Sequence, residues 1–104
     1  MRHLGVLQGN GTLECSGRAL GRAHYEFDGY LVGPGQVVAS GEVHMAHAAL
    51  HDAFGRTDLV LRTDDGHALA IRFSGKALSQ TADIAHADVR DGLPPPAKWR
   101  RREA

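Results

Sequence analysis

Seven histidines in a chain of 104 residues are the first chemistry this sequence offers. Three of them cluster as His44, His47 and His51, with Asp52 directly after. On a helix, His47 and His51 stand one turn apart on one face. At that spacing two imidazoles can chelate zinc, copper or nickel. If the helix starts early enough to include His44, all three fall within about 60° of one another. The cluster therefore predicts a divalent transition-metal site and, with it, a metal-binding protein or metal-dependent enzyme. The metalloprotease helix motif is excluded, because Ala48 stands where the general-base Glu would follow the first His. The competing reading is plain. On the same helical wheel Ala46, Ala49, Leu50 and Ala53 form an apolar stripe about 120° from the histidines. The imidazoles would then lie on a solvated flank with no cofactor at all, or act as pH sensors, since His titrates near neutrality.

A second constellation depends on strand pairing. His24, Glu26 and Asp28 alternate with the apolar Ala23, Tyr25 and Phe27, and Ser40, Glu42 and His44 alternate with Ala39, Gly41, Val43 and Met45. If these two segments pair, imidazoles and carboxylates share one face as an acid–base pair or a metal site. The ordinary alternative is a solvent face with cross-strand charge pairs.

The third is the C-terminal run Lys98, Trp99, Arg100, Arg101 and Arg102. Four cations and one aromatic can supply phosphate contacts and a stacking contact to single-stranded nucleic acid, or meet an anionic surface. Lys and Arg balance Asp and Glu at 12 each. Ahead of Lys98, however, eight basic residues face eleven acidic ones. A slightly acidic body with a short basic tail is not a protein whose whole surface grips nucleic acid.

Other chemistries lack their residues. No serine lies in a Gly-x-Ser-x-Gly elbow. The glycines of Gly5 to Gly11 are followed by no Gly-Lys-Ser/Thr and open no helix, so they make no phosphate loop. A single cysteine, Cys15, excludes an internal disulfide and zinc-finger spacing, and its alternating surroundings predict a buried, inert thiol.

The elements that would position these groups are mostly strands. The best local signal is Leu59 to Phe73, two alternating runs around Asp64-Asp65-Gly66. A three-residue loop pairs Leu61 with Leu69 and Leu59 with Ile71. It puts every large apolar residue except Val60 on one face, and Arg62 and Arg72 on the other. A register one residue away mixes the faces, so the three-residue loop wins. Asn10-Gly11 predicts a type I′ turn between strands at about 3–8 and 12–16. Further strands are expected at about 22–31, 36–45 and 80–89, with a turn at Gly33-Pro34-Gly35. Ala46 to Phe54 breaks the alternation and predicts one short helix ended by Gly55. Gly is roughly twice its average share, without collagen-like period, which fits tight turns and bulges.

The expected fold is mainly β: a small antiparallel barrel or sandwich of about seven short strands with one short helix at about 46–54. Residues 1–92 form a single β-rich domain, and 93–104 a Pro-rich linker and basic C-terminal tail. The sequence shows no apolar run suited to a signal peptide or a transmembrane helix, so a cytoplasmic protein of bacterial type is expected. The leading functional expectation is a non-catalytic binding or adaptor module, a homodimer through exposed sheet edges, with a protein partner or small ligand. The metal protein and the single-stranded nucleic-acid binder stand as alternatives.

Overall fold

A computed structural model describes residues 1–75 and 78–99. The chain is mainly β, with strands β1 (Arg2–Cys15), β2 (Arg18–Gly33), β3 (Gln36–Met45), β4 (Leu59–Thr63), β5 (Ala68–Phe73) and β6 (Ile84–Asp91). One helix, α1 (His47–Ala53), joins β3 to β4, and a short 3-10 turn covers Pro96–Lys98. All neighbours pair antiparallel, and the strands close into a barrel in the order β1-β2-β3-β6-β5-β4, with β4 returning to β1.

Six strands replace the seven expected, because the Asn10-Gly11 turn does not form. β1 runs straight through it, with Asn10 opposite His24 and Gly11 opposite both Ala23 and Thr63. The local turn preference loses to ladder hydrogen bonds on both sides. The glycines serve clearance instead. A Cβ on Gly11 would collide with the backbone of Arg62 and Thr63, and one on Gly9 would press on the Tyr25 hydroxyl at 3.1 Å. The tight turn falls at Ser16-Gly17, both at positive φ, between Cys15 and Arg18. That geometry matches a type I′ hairpin. The last strand also lies later than expected. Ser79 to Ala82 close a turn, through Ala82 N–H to Ser79 C=O at 3.1 Å, and β6 begins only at Ile84.

The central hairpin has the expected register, Leu59 opposite Ile71 and Leu61 opposite Leu69. Thr63 N–H donates to His67 C=O at 2.9 Å, and Gly66 takes a positive φ of 100° in the loop. Alternation then fills the interior. Leu13, Tyr25, Phe27, Val43, Leu59, Leu61, Leu69 and Ile71 are fully enclosed, and burial of such side chains stabilises the fold by about 1.5–3 kcal/mol each.

The two barrel ends are closed differently. At one end α1 lays Leu50 and Ala53 into the core, and Ala49 packs over Gly21. At the other, Trp99 is buried, its ring lying on Gly29 of β2 and its indole N–H donating to Pro94 C=O at 3.2 Å. Leu93 also packs against the core. The segment from Leu93 to Trp99 thus folds back onto the barrel, although the sequence reads it as linker and tail. Residues 100–104 lie outside the described residues. Among those described, no helix is long and apolar enough to cross a membrane.

Candidate functional site

The hairpin β4–β5 is short, at five and six residues, while β1 has fourteen and β2 sixteen. This difference opens a slot in the barrel wall. β4 pairs with β1 only from Gly11 to Cys15, and one further bond, Asp64 N–H to Asn10 C=O at 2.9 Å, ends the contact. Above the hairpin tip, the stretch Val6–Gln8 faces Gly92–Pro95 and Lys98 across a cavity of about 940 Å³, with Asp65 and His67 at its foot. Leu7 and Leu93 supply apolar lining, and both are half-buried.

The foot of the slot is a fixed polar network. The Thr63 hydroxyl donates to Asp65 Oδ1, and His67 N–H donates to Thr63 Oγ1 at 2.8 Å. His67 Nδ1 lies 3.0 Å from the same Asp65 oxygen. With Nδ1 protonated, the imidazole is held by Asp65 and its Nε2 is left to act as an acceptor. Hydrogen bonds from Thr63 and then His67 hold the Asp65 carboxyl below the usual carboxylate range. Burial, followed by the charge of Asp65, raises the Tyr25 phenol above its ordinary value. The hairpin tip is itself anchored from outside: Arg22 makes a paired contact with Asp64, 2.9 Å to Oδ1 and 2.6 Å to Oδ2.

The histidine cluster is divided. α1 brings His47 and His51 together, their ring centroids 5.5 Å apart, and Ala82 C=O lies 2.7 Å from His47 Nδ1. His44 stands on β3 outside the helix, with its ring 5.9 Å from that of His24. Among the described residues, no group of three or more His, Cys, Asp or Glu is placed to hold a metal ion.

The polar face of the second constellation does assemble, because β2 and β3 pair. His24 is opposite His44, Glu26 opposite Glu42 and Asp28 opposite Ser40. β6 extends the rows with His86 beside Glu42 and Asp88 beside Ser40. The contacts there are those of a solvent face: His3 to Asp28 at 3.0 Å, His44 to Glu42 at 3.6 Å, and Ser74 to His86 at 2.8 Å.

In the basic run, Lys98 lines the slot and Trp99 fills the barrel end, while Arg100, Arg101 and Arg102 lie outside the described residues. The indole is 8% exposed, so it offers no face for base stacking. Cys15 is buried, 3.1 Å from Asp58 Oδ1 and 3.7 Å from the Arg56 guanidinium.

Sequence reasoning missed the slot. Its foot was in view as the Asp-Asp-Gly-His turn, but its walls come from segments more than eighty residues apart in sequence. The length mismatch between β1 and the hairpin is the signal that could have found it. Compared with protein-family models, with curated proteins and with solved structures, the chain matches none.

Proposed function

We propose that this protein is a non-catalytic binding module and that the slot beside β1 receives its ligand. The observation that carries this reading is a gap in an otherwise closed wall, next to the stretch of β1 that, among the described strands, pairs only with β2. A largely preformed cavity of this size, with apolar lining and a few convergent polar groups, is the usual form of a ligand site. Fixed groups at the foot (Asp65, His67) and a cation on the wall (Lys98) would set ligand orientation. Among the described lining residues there is no serine or cysteine beside the His67–Asp65 pair, and the nearby Thr63 hydroxyl is already committed to Asp65, which supports binding over covalent catalysis.

The homodimer expected from sheet edges is narrowed by ring closure. The N-terminal half of β1 is the edge at which a second copy would pair, so dimerisation and ligand binding would compete there.

The test is amide chemical-shift mapping of the intact protein against separate panels of peptides, nucleotides, sugars and fatty acids. The expected result is a class that shifts Val6, Leu7, Gln8, Asp65 and His67, and that loses binding in Leu7→Trp, a substitution that fills the slot. Shifts confined to the outer histidine face, or binding unchanged in Leu7→Trp, would overturn the reading.

A further inference from the structure

We infer that the slot takes a short peptide in extended form, with both termini free, added to β1 as an antiparallel strand. The inference rests on the slot being the ligand site and names what enters it.

The first argument is the backbone of β1. From Val6 to Asn10 the pairing with β2 is unbroken, with Val6 opposite Asp28 and Asn10 opposite His24. Along such a strand, the N–H and C=O of successive residues point alternately to the two sides. Asn10 C=O accepts from Asp64 N–H, on the side away from β2. By alternation, the backbone groups of Gln8 and Val6 point to that same side, into the slot. They form a short template for one added strand, the mode in which main-chain bonds give affinity and side-chain pockets give specificity. Gln8 and Val6 carry neither the lysine nor the proline that commonly guards an open edge.

The second argument is charge. Asp65 stands at the Asn10 end of the slot, next to Asp64, which bonds to Asn10. Lys98 belongs to the other end. It precedes Trp99, whose ring lies on Gly29, and Gly29 is the partner of Gly5. A strand antiparallel to β1 enters at Asn10 and leaves at Gly5. Its terminal ammonium then meets Asp65, and its terminal carboxylate meets Lys98. The parallel orientation puts like charges together at both ends. From Gly5 to Asn10 the strand rises about 17 Å at 3.4 Å per residue, which suits about four to five residues. Beyond that length the hairpin tip blocks the path, which favours a free short peptide over an internal segment of a larger chain.

The experiment selects binders to the full-length protein from a mixed pool of free pentapeptides by affinity-selection mass spectrometry. The strongest is remade in three forms: acetylated and amidated, N-methylated at residues 2 and 4, and N-methylated at residues 3 and 5. The expected result is at least tenfold weaker binding on capping. One N-methyl form should lose at least tenfold and the other little, because alternate amides face β1. In Lys98→Gln the acid and amide forms of the C-terminus should bind alike. Equal binding of capped and free peptides, or equal tolerance of both N-methyl forms, would overturn the inference. If no peptide is selected while another chemical class shifts the slot amides, the binding-module reading stands and the peptide inference falls. If no class shifts them, both fall.

Discussion

Replacing Gly29 by alanine should expel or displace the only tryptophan in the chain. Gly29 lies in β2 with no positive φ, so alanine suits its backbone. Glycine within a strand costs roughly 0.5–1 kcal/mol relative to alanine, so on local grounds Gly29→Ala should stabilise. The structure reverses that sign. The new methyl carbon would sit 2.6 Å from Trp99 Cη2 and Cζ3 and 2.9 Å from Cε3. Carbon atoms pack at about 3.5–4.0 Å, so the rigid indole must retreat by about 1 Å or leave the barrel end. Overpacking of this kind costs about 1–3 kcal/mol, and full loss of the indole from its site approaches the ~3–5 kcal/mol of a Trp→Ala truncation. After that local gain is subtracted, the expected net loss is about 0.5–2.5 kcal/mol, a fall of roughly 1 M in the urea midpoint. Urea titration followed by tryptophan fluorescence reads both consequences, since an indole driven into water emits further to the red. Gly33→Ala is the control: its Cβ would meet only the Gln36 side chain, at 3.6 Å, and its midpoint should not fall. A Gly29→Ala protein as stable as the parent, with unchanged emission, would refute the placement of Trp99 and with it the closed end of the barrel.

Three further outcomes follow from the same structure. Leu61 is fully buried while Arg62 is exposed and paired with Glu14 at 2.9 Å. Leu61→Asp should therefore abolish the folded circular-dichroism spectrum by burying an unpaired charge, and Arg62→Ala should cost about 0–1 kcal/mol in urea denaturation. Asp65 has its folded-state pKa held low by Thr63 and His67. Its stabilisation is complete above the ordinary carboxylate range and drains away as pH falls through the folded value, below about pH 4. Urea midpoints between pH 6 and pH 2.5 should thus fall less in Asp65→Asn than in the parent, and an equal fall would count against the network. Calorimetric titration with nickel or zinc should find at most a weak site that is lost in His51→Ala and untouched in His44→Ala, because only His47 and His51 share the helix face. A tight site that needs His44 would restore the three-histidine reading.

The hairpin was legible because its information is local. Leu59, Leu61, Leu69 and Ile71 can share a face in one register only, and Gly66 supplies the positive φ that this loop requires. The same reasoning located β3 and α1, where the hydrophobic period changes within a few residues of Met45. It failed at Asn10-Gly11, where a good turn sequence met a better offer of backbone partners from β2 and β4. It also read Trp99 as the stacking aromatic of a basic tail, since nothing near residue 99 announces the space above Gly29.

By itself the sequence determined the period-two faces, the central register, the single helix and the burial of Cys15, all set by side-chain alternation and turn stereochemistry within short spans. Only the tertiary structure decided that the sheet closes, that His44 parts from His47 and His51, and that Trp99 seals one end. It also decided that, among the described strands, the N-terminal half of β1 pairs only with β2 and borders the cavity that Asp65 and Lys98 line. The physical reason is that these features depend on where the ring of strands runs out of partners. That is a property of relative strand lengths and of contacts between residues far apart in the chain, which no local pattern encodes.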